Sequence, residues 1–355
     1  MSTESTSRRL LAAVFPALAA LAAIALVTLW GSSGSEILDR TIITMLIDLV
    51  LVMGLYIFAG NSGIFSFGQL SFMAIGAYAA GFLTIPVITK RLILPGLPDW
   101  LMTAQVGPVA AVLIGGAVAA LFAAVLAIPL MRLSGISASL ATFAVLIAIN
   151  VVLANSDDVT GGTSGLNGVP VTVTSWNAFA WAAVAIAIAL AFQLTPIGRR
   201  LRATREDEVA ARALGISVLT ERRVGFVLSA FVTGVGGALY AQFNSAFTPD
   251  AFYLDLTFLI IAMLVVGGMN SLTGAVAGVL VLTAVSEGLR RIEQGAHVGP
   301  LFVPGRTGLR EVGLALIMLA ILLFRPRGLT GGRELPLPRR LTLPGRLRRP
   351  AKAHR

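Results

Sequence analysis

A charged run between two long apolar blocks carries the clearest functional signal in the sequence. It extends from Thr195 to Ser217. Thr204 is placed to cap a helix, the three acids that follow it suit the positive end of a helix dipole, and Gly215 suits the helix end. The middle of this helix is small and slightly apolar, which favours docking into a groove on another protein. An ordinary surface helix in a long loop is the alternative.

Three carboxylates lie in or near apolar blocks: Asp48, Glu287 and Glu311. A charged side chain at the centre of a bilayer costs about 2.5–3.5 kcal/mol, so Asp48 is expected to face other helices and find a partner or a proton. Buried acids of this kind could couple transport to protons. A hydrogen-bonded carboxylate with a purely structural role is the plainer alternative.

Two glycine-rich clusters, residues 60–68 and 267–274, interrupt apolar blocks. Irregular backbone at membrane depth is tolerated only where protein or a watery cavity covers it, so their polar residues are candidates for lining a solute pathway. Those candidates are Asn61, Ser62, Ser66, Gln69, Ser71, Asn270, Ser271 and Thr273. Close helix packing is the alternative, as the GxxxG spacing of Gly274 and Gly278 illustrates.

Histidine, cysteine and lysine usage argues against catalysis on this chain. His297 and His354 are the only histidines, and neither has carboxylates at ligand spacing. The absence of cysteine excludes disulfides, thiolate metal sites and cysteine nucleophiles. Lys90 and Lys352 are the only lysines, and neither follows a glycine as a Walker loop requires. We therefore predict no enzyme, no metal site and no resident cofactor.

Composition shows which elements must position these residues. The chain has 355 residues, of which 56% are hydrophobic and 12% charged, with a mean hydropathy of +0.87. Its apolar blocks are roughly 17 to 25 residues long, enough for a helix to cross a bilayer. We predict an all-α polytopic membrane protein with eight to ten spans. The ten candidates are residues 10–30, 41–59, 69–88, 106–130, 136–154, 176–194, 224–243, 254–268, 271–287 and 308–324.

Most of the 27 basic residues fall in four places: residues 1–9, Arg132, the loop 195–223 and the tail 325–355. Ten spans put all four on one side of the membrane, which the positive-inside rule makes the cytoplasm. The net charge of +10 is thus explained by orientation rather than by nucleic-acid binding. We predict cytoplasmic termini and an uncleaved first span within a transmembrane domain at 10–324, with a signal peptide as the alternative for that span. The tail is predicted to be disordered and either held near anionic headgroups or, the plainer alternative, simply solvated.

Ten spans divide into five and five. Since each half then has an odd number of spans, any internal duplication would be inverted across the membrane. The trace of such a repeat in the sequence is a Gly-Asn-Ser patch at residues 60–63 and another at 268–271. This division also requires residues 254–287 to form two helices rather than one, since a single helix would place the basic tail outside.

The segment Glu208–Gly215 resembles the "EAA" loop through which permeases of ATP-binding-cassette (ABC) importers engage their ATPase subunits. Other segments are similar to the branched-chain amino acid permeases of the LivM type, and these segments are residues 60–78, 160–166, 226–240, 266–275 and 323–329. The resemblance implies that ATP and magnesium bind to partner chains. The residues expected to couple to those chains are Glu206, Asp207, Glu208, Ala210, Ala211, Arg212 and Gly215.

The resemblance also implies partners and a localisation. The expected partners are a second, LivH-like permease, two ATP-binding subunits and an extracytoplasmic solute-binding protein, all at a bacterial plasma membrane. The outer loop that includes Thr160, Gly161, Gly162 and Thr163 could meet the binding protein. Alternatively, it forms a tight glycine turn over the pore mouth.

The function that follows is a permease subunit for branched-chain amino acids or a related small polar solute, such as another amino acid, an amide or urea. The rival is a proton-coupled secondary transporter that uses Asp48, Glu287 or Glu311.

Overall fold

The computed structural model describes residues 3–32, 34–293, 296–298, 301–303, 308–325, 328–332 and 334. Helices make up most of this part of the chain. They are α1 (Thr3–Ser32), α2 (Glu36–Leu55), α3 (Gln69–Thr84), α4 (Val87–Ile93), α5 (Asp99–Thr103), α6 (Pro108–Leu130), α7 (Gly135–Ala154), α8 (Asp157–Thr160), α9 (Ser175–Leu194), α10 (Pro196–Glu206), α11 (Glu208–Ala213), α12 (Val218–Asn244), α13 (Leu254–Gly267), α14 (Leu272–Glu293) and α15 (Leu309–Phe324).

Strands are short and come in two antiparallel pairs. The first pair is β1 (Leu166–Asn167) with β2 (Ala246–Phe247), and the second is β3 (Ala296–Val298) with β4 (Leu301–Val303). The all-α polytopic fold predicted from the sequence is therefore confirmed.

Eight helices of the described chain are long and apolar enough to cross a membrane, or nine if the bent pair α3 and α4 is one span. The shorter α15 coincides with the tenth predicted span, so every predicted span contains a helix. The third span differs at its end, because the chain bends by 120° between α3 and α4 rather than continuing to residue 88. Pro86 causes this break, since proline disfavours a helical residue before it, and Ile85 is extended.

Helix α2 lies at the centre of the bundle and packs against α1, α9, α12, α13 and α14. Every residue from Met45 to Leu55 is buried, and all of them except Asp48 are apolar. Helix α12 is the second central helix and packs against α2, α3, α6 and α10. Small residues let these helices approach closely: a Cβ on Gly76 of α3 would collide with the backbone of Gly234 in α12.

The packing of the two halves corresponds helix by helix. Helix α2 packs on α13 and α14 as α12 packs on α3 and α6. In the same way, α3 packs on α6 and α7 as α13 packs on α14 and α15. Exchanging α2, α3, α6 and α7 for α12, α13, α14 and α15 reproduces these pairs. Because α2 ends at the side where α10 lies and α12 begins there, the equivalent helices run in opposite directions. An inverted repeat produces this relation. The two Gly-Asn-Ser patches are not equivalent in it, because residues 60–63 follow α2 whereas residues 268–271 follow α13, the counterpart of α3.

Helices α13 and α14 form the two separate elements that the sequence analysis required. The chain turns at residues 268–271, where Gly268 has φ +117°. The helices then touch through glycine: Gly278 lies against the carbonyl of Met263, and Gly274 lies against Gly267. The GxxxG spacing therefore serves helix packing here.

The start of the tail returns to the bundle. The Leu329 amide donates to the Val266 carbonyl at 2.8 Å, and the Thr330 hydroxyl donates to the Gly267 carbonyl at 3.1 Å. These bonds use carbonyls that the end of α13 leaves open, and the disordered tail at 325–355 stays a prediction. The rest of the tail after Glu334 lies outside the described residues.

Candidate functional site

Helices α10 and α11 form a hairpin at one end of the bundle, which we call the α10 side; the opposite end is the far side. The cap of α11 is Asp207, whose carboxylate accepts from the amides of Val209 and Ala210 at 2.9 and 3.0 Å. The predicted cap at Thr204 is wrong. Thr204 is buried inside α10 and donates to the Leu201 carbonyl, because Asp207 supplies the extended backbone and the acceptor that a cap needs.

Gly215 ends this hairpin in the left-handed conformation, with φ +80°. Its amide donates to the Arg212 carbonyl at 3.0 Å, and the Ile216 amide donates to the Ala211 carbonyl at 3.1 Å. These bonds satisfy carbonyls that the end of α11 would otherwise leave open. A side chain at this φ would be strained, so glycine fits the position that the sequence analysis assigned to it.

Glu208 fastens α11 to the core helix α12. Its carboxylate accepts from Arg212 at 2.5 Å and from the buried Arg222 of α12 at 2.8 Å. Partial burial alone would raise the pKa of Glu208, but the hydrogen bonds and charges of Arg222 and Arg212 outweigh it and hold the pKa below its usual value. Glu208 therefore remains charged at neutral pH and joins the hairpin to α12.

The hairpin exposes two large apolar residues: Leu214, which ends the slightly apolar stretch that the sequence analysis expected to dock, and Val209, which it did not single out. Val209 is 79% exposed and Leu214 is 81% exposed, although both lie outside the candidate spans. In the sequence, both residues can be recognised as bulky apolar side chains in, or directly after, a short charged helix. Of the predicted coupling residues, Ala211 is buried and Glu208 is half-buried. The others, which are Glu206, Asp207, Ala210, Arg212 and Gly215, are exposed.

Arg205, at the end of α10, connects the hairpin to both glycine-rich clusters. Its guanidinium donates to the Gly60 carbonyl at 2.8 Å and to the Asn270 side-chain oxygen at 2.9 Å. It also pairs with the exposed Glu206 at 2.6 Å. Sequence analysis missed Arg205, because nothing in its spacing marks it apart from the other arginines of the loop.

The two clusters meet at one point on the α10 side. Helix α2 continues into a wide π-helical turn, Tyr56–Gly60, and we call the helix with this turn the α2 rod. Turns of this form are often found at functional sites. A Cβ on Gly60 would lie 2.7 Å from the Met269 carbonyl, so the backbones of the two clusters are in contact. Gln193 of α9 donates to the Tyr56 hydroxyl and fixes this turn from the other side.

Other members of the first cluster face elsewhere. The Gln69 amide donates to the Ser229 hydroxyl of α12 at 2.8 Å, and the Asn61 amide donates to the Ile57 carbonyl at 3.0 Å. Four of the predicted pathway residues have buried oxygens with no partner in the described part of the chain, namely Asn61 Oδ1, Ser66 Oγ, Gln69 Oε1 and Ser71 Oγ. Ser62 instead accepts from the amide of Ile64. Buried oxygens of this kind favour contact with water or a solute.

The second cluster is capped by Glu334 from the returning tail. The Glu334 carboxylate accepts from the Leu272 amide at 2.7 Å, the Thr273 hydroxyl at 3.0 Å and the Ser271 hydroxyl at 3.1 Å. A carboxylate at the start of α14 is favoured by the helix dipole. Asn270 is the member of this cluster that faces α10, through its bond to Arg205.

A cavity of about 180 Å³ lies on the α10 side beside this junction. It is lined by Pro16, Ala17, Leu190, Gln193, Leu194, Arg202, Asn270, Leu272 and Glu334. Asn270 is the one predicted pathway residue among them.

A second cavity, of about 230 Å³, lies on the far side between α2, α13 and α14; we call it the far-side cavity. It is lined by Thr41, Thr44, Asp48, Leu259, Met263, Thr283, Ser286, Glu287 and Arg290. The structure thus brings together Asp48 and Glu287, two of the three acids singled out in the sequence. The side chain of the third, Glu311, lies outside the described part.

The far-side loop 160–163 is mostly an internal structural turn. The Thr160 hydroxyl is buried and donates to the Leu153 carbonyl at 2.6 Å. Gly161 and Gly162 have positive φ angles of 77° and 55°, and Gly162 is buried. Thr163 is exposed, so it is the residue of this set that is open to an external partner.

The fold and these sites define a polytopic α-helical membrane protein in which a short helical hairpin on one side is tied to helix breaks inside the bundle. The chain belongs to the family described as branched-chain amino acid transport system / permease component, whose model matches residues 37–324. The family resemblance drawn from the sequence is therefore confirmed.

Individual relatives agree with this family. The high-affinity branched-chain amino acid transport system permease protein LivM of Escherichia coli K12 is 25% identical over 325 residues, which cover 82% of this chain and 69% of that protein. The probable branched-chain amino acid transport permease protein LivH of Methanocaldococcus jannaschii is 28% identical over 310 residues, covering 83% and 92%. The nucleoside ABC transporter permease protein NupC of Lactococcus lactis is 32% identical over 121 residues, covering 32% and 38%.

Proposed function

We propose that this chain is the permease subunit of an ABC importer at the bacterial plasma membrane, with the α10 side in the cytoplasm. It carries branched-chain amino acids or a related small polar solute. Its partners are a second permease, two ATP-binding subunits that hold ATP and magnesium, and an external solute-binding protein, which Thr163 is placed to meet. The α10–α11 hairpin carries this proposal, because it exposes Val209 and Leu214 outside the spans.

Energy reaches the bundle through two contacts of this hairpin. An ATPase subunit docks on Val209 and Leu214 and moves α11 when ATP closes the ATPase pair. Glu208 passes this motion to α12 through Arg222. Arg205 passes it to the junction of the two glycine-rich clusters, at Gly60 and Asn270. The two halves of the permease then alternate between outward-open and inward-open states.

The energy source separates this proposal from a secondary carrier that uses Asp48 and Glu287. Vesicles that contain the assembled importer would be loaded with ATP, or depleted of it while a proton gradient is maintained. Loss of uptake on ATP depletion supports the importer. Uptake that persists without ATP and stops when the gradient collapses supports the carrier.

A direct test of docking places a charge on the exposed apolar face. Val209→Glu and Leu214→Glu are each expected to reduce co-purification of the ATPase subunits and ATP-driven uptake at least about tenfold, since burying an unpaired carboxylate in an interface costs more than 1.4 kcal/mol. The matched control is Val171→Glu, because Val171 is 62% exposed in the loop on the far side. Equal co-purification of all three variants would reject the docking face.

A further inference from the structure

The far-side cavity contains both signs of charge beside an apolar wall. Asp48 and Glu287 contribute carboxylates, Arg290 contributes a guanidinium, and Leu259 and Met263 of α13 form the apolar part. Its volume of about 230 Å³ lies below the roughly 300–1,000 Å³ of pockets for drug-sized ligands, so it fits only a small solute. Charges enclosed between helices are costly, which favours a function for them over simple packing.

Arg290 and Thr283 bring hydrogen-bond donors to this cavity. Arg290 donates to Glu287 through Nε and one terminal nitrogen, both at 2.8 Å, and Glu287 also accepts from Arg291 at 3.2 Å. An arginine has five N–H donors, so these two bonds leave three that Glu287 does not take up. The Thr283 hydroxyl has no partner in the described part of the chain, and because Thr283 lines the cavity, a rotation of its side chain would bring this covered hydroxyl to a solute.

The position of the cavity fits a solute that arrives on the far side. Thr44, on its rim, is exposed, and Asp48 lies twelve residues before Gly60, which is about 18 Å along a helix. Every residue of the α2 rod between Asp48 and Gly60 is buried. The cavity is thus separated by packed helix from the junction at Arg205, as an alternating-access site open to one side would be.

We infer that the far-side cavity binds the zwitterionic head of an α-amino acid on its way through the permease. The solute carboxylate bonds to Arg290 and Thr283, its ammonium faces Asp48, and its aliphatic side chain rests on Leu259 and Met263. This inference rests on the proposed function and narrows its substrate from small polar solutes to those that carry both charges. An amide or urea has no ammonium to pair with the charge of Asp48.

The absence of native cysteine makes the cavity directly testable. Single-cysteine variants Thr44→Cys and Thr283→Cys would be placed in the assembled importer in proteoliposomes and labelled with a membrane-impermeant maleimide from the far side. Millimolar L-leucine is expected to slow labelling at least about fivefold at either position. The control is Val171→Cys, which is 62% exposed on the same side and should label equally with and without leucine.

Analogues identify which charges matter. 4-Methylpentanoate lacks the ammonium, 3-methylbutylamine lacks the carboxylate, and urea lacks both; none is expected to protect Thr283→Cys. In the same background Asp48→Asn should abolish leucine protection, whereas Asp48→Glu should retain part of it. Labelling that leucine does not change at either cavity position, or equal protection by urea, would overturn the inference.

This test separates the two claims. Uptake that depends on ATP without leucine protection leaves the proposed function standing and rejects the cavity. Leucine protection in a system whose uptake follows the proton gradient rejects the ABC mechanism and keeps the cavity as an amino-acid site.

Discussion

Arg205 is the residue that joins the hairpin to both glycine-rich clusters. One guanidinium bonds to a backbone carbonyl at the end of the α2 rod and to Asn270 before α14. Both acceptors belong to helix breaks, where a small displacement costs less than inside a continuous helix. The planar guanidinium holds the two acceptors at fixed geometry, which a flexible ammonium cannot do.

Removing this side chain should uncouple ATP hydrolysis from uptake. We expect Arg205→Ala to lower the ratio of leucine transported to ATP hydrolysed about tenfold or more, since hydrogen bonds from charged groups contribute about 1.5–3 kcal/mol. Arg205→Lys should give an intermediate ratio. The measurement is parallel uptake and phosphate release in proteoliposomes, with exposed Arg199→Ala of the same helix as the control. A normal ratio for Arg205→Ala would mean that motion passes elsewhere.

Glu208 sets the pH range over which the hairpin stays attached to α12. Its pKa in the folded protein lies below the usual value, so the ion pairs stabilise the fold above the unfolded pKa of about 4.3, and this stabilisation is lost as pH falls through the folded value. The melting temperature of the purified complex should therefore show no pH dependence from this group between about pH 6 and 8, where its stabilisation is fully present. Glu208→Gln should lower the melting temperature in that range and reduce its sensitivity to acid below it. A fall in the melting temperature of the wild-type protein near neutral pH would contradict the low pKa of Glu208.

At the level of elements, two glycines of α14 differ in whether a neighbouring helix packs against them. Gly278 lies against the Met263 carbonyl, whereas a Cβ on Gly288 would meet nothing within 4 Å. We expect Gly278→Ala to destabilise the protein by about 1–3 kcal/mol through overpacking, and Gly288→Ala to stabilise it by about 0.5–1 kcal/mol through helix propensity. Melting temperatures of the two variants in the same detergent measure the difference. Equal shifts would show that the helices do not touch there.

Elements were predictable where one dominant constraint acts on consecutive residues. The bilayer demands long apolar helices, and eight of the ten predicted spans contain a helix long enough to cross, or nine if α3 and α4 form one span. The break at Pro86 was missed, since the predicted third span ran through it to residue 88, although proline restricts the residue before it. The N-cap of α11 was not predictable either. Thr204 and Asp207 are both residue types that cap helices, and the extended backbone of Asp207 decides between them.

Contacts between distant residues were beyond the sequence. Arg205 and Gly60 are 145 positions apart, and Asp48 and Glu287 meet only because α2 and α14 pack together. The sequence predicted which acids are costly to bury but not that two of them share one cavity. It likewise predicted polar pathway candidates without separating Asn270, which faces Arg205, from Gln69, which bonds to α12.

At the scale of the whole molecule, the fold constrains which exposed residues face the same side of the membrane and which face opposite sides. One long apolar helix, α9, lies between the exposed Thr163 and the exposed Val209, so the two residues must face opposite sides of a membrane if α9 crosses it. Basic residues cluster in the loop 195–223, and by the positive-inside rule we propose that Val209 lies in the cytoplasm. The far-side cavity and the docking face then lie at opposite ends of the same bundle, as an importer driven from within requires.

This orientation gives a prediction for the intact cell. In the cysteine-free chain, Thr163→Cys should react with an impermeant maleimide added outside, and Val209→Cys should react only after the membrane is permeabilised. Both residues are exposed, so a difference in labelling reports sidedness rather than burial. The reverse pattern would place the hairpin outside and remove it from any intracellular motor. Labelling of both residues from outside would show that α9 does not cross the membrane. Solute entry and ATPase docking would then not lie on opposite sides, and the proposed arrangement would be rejected.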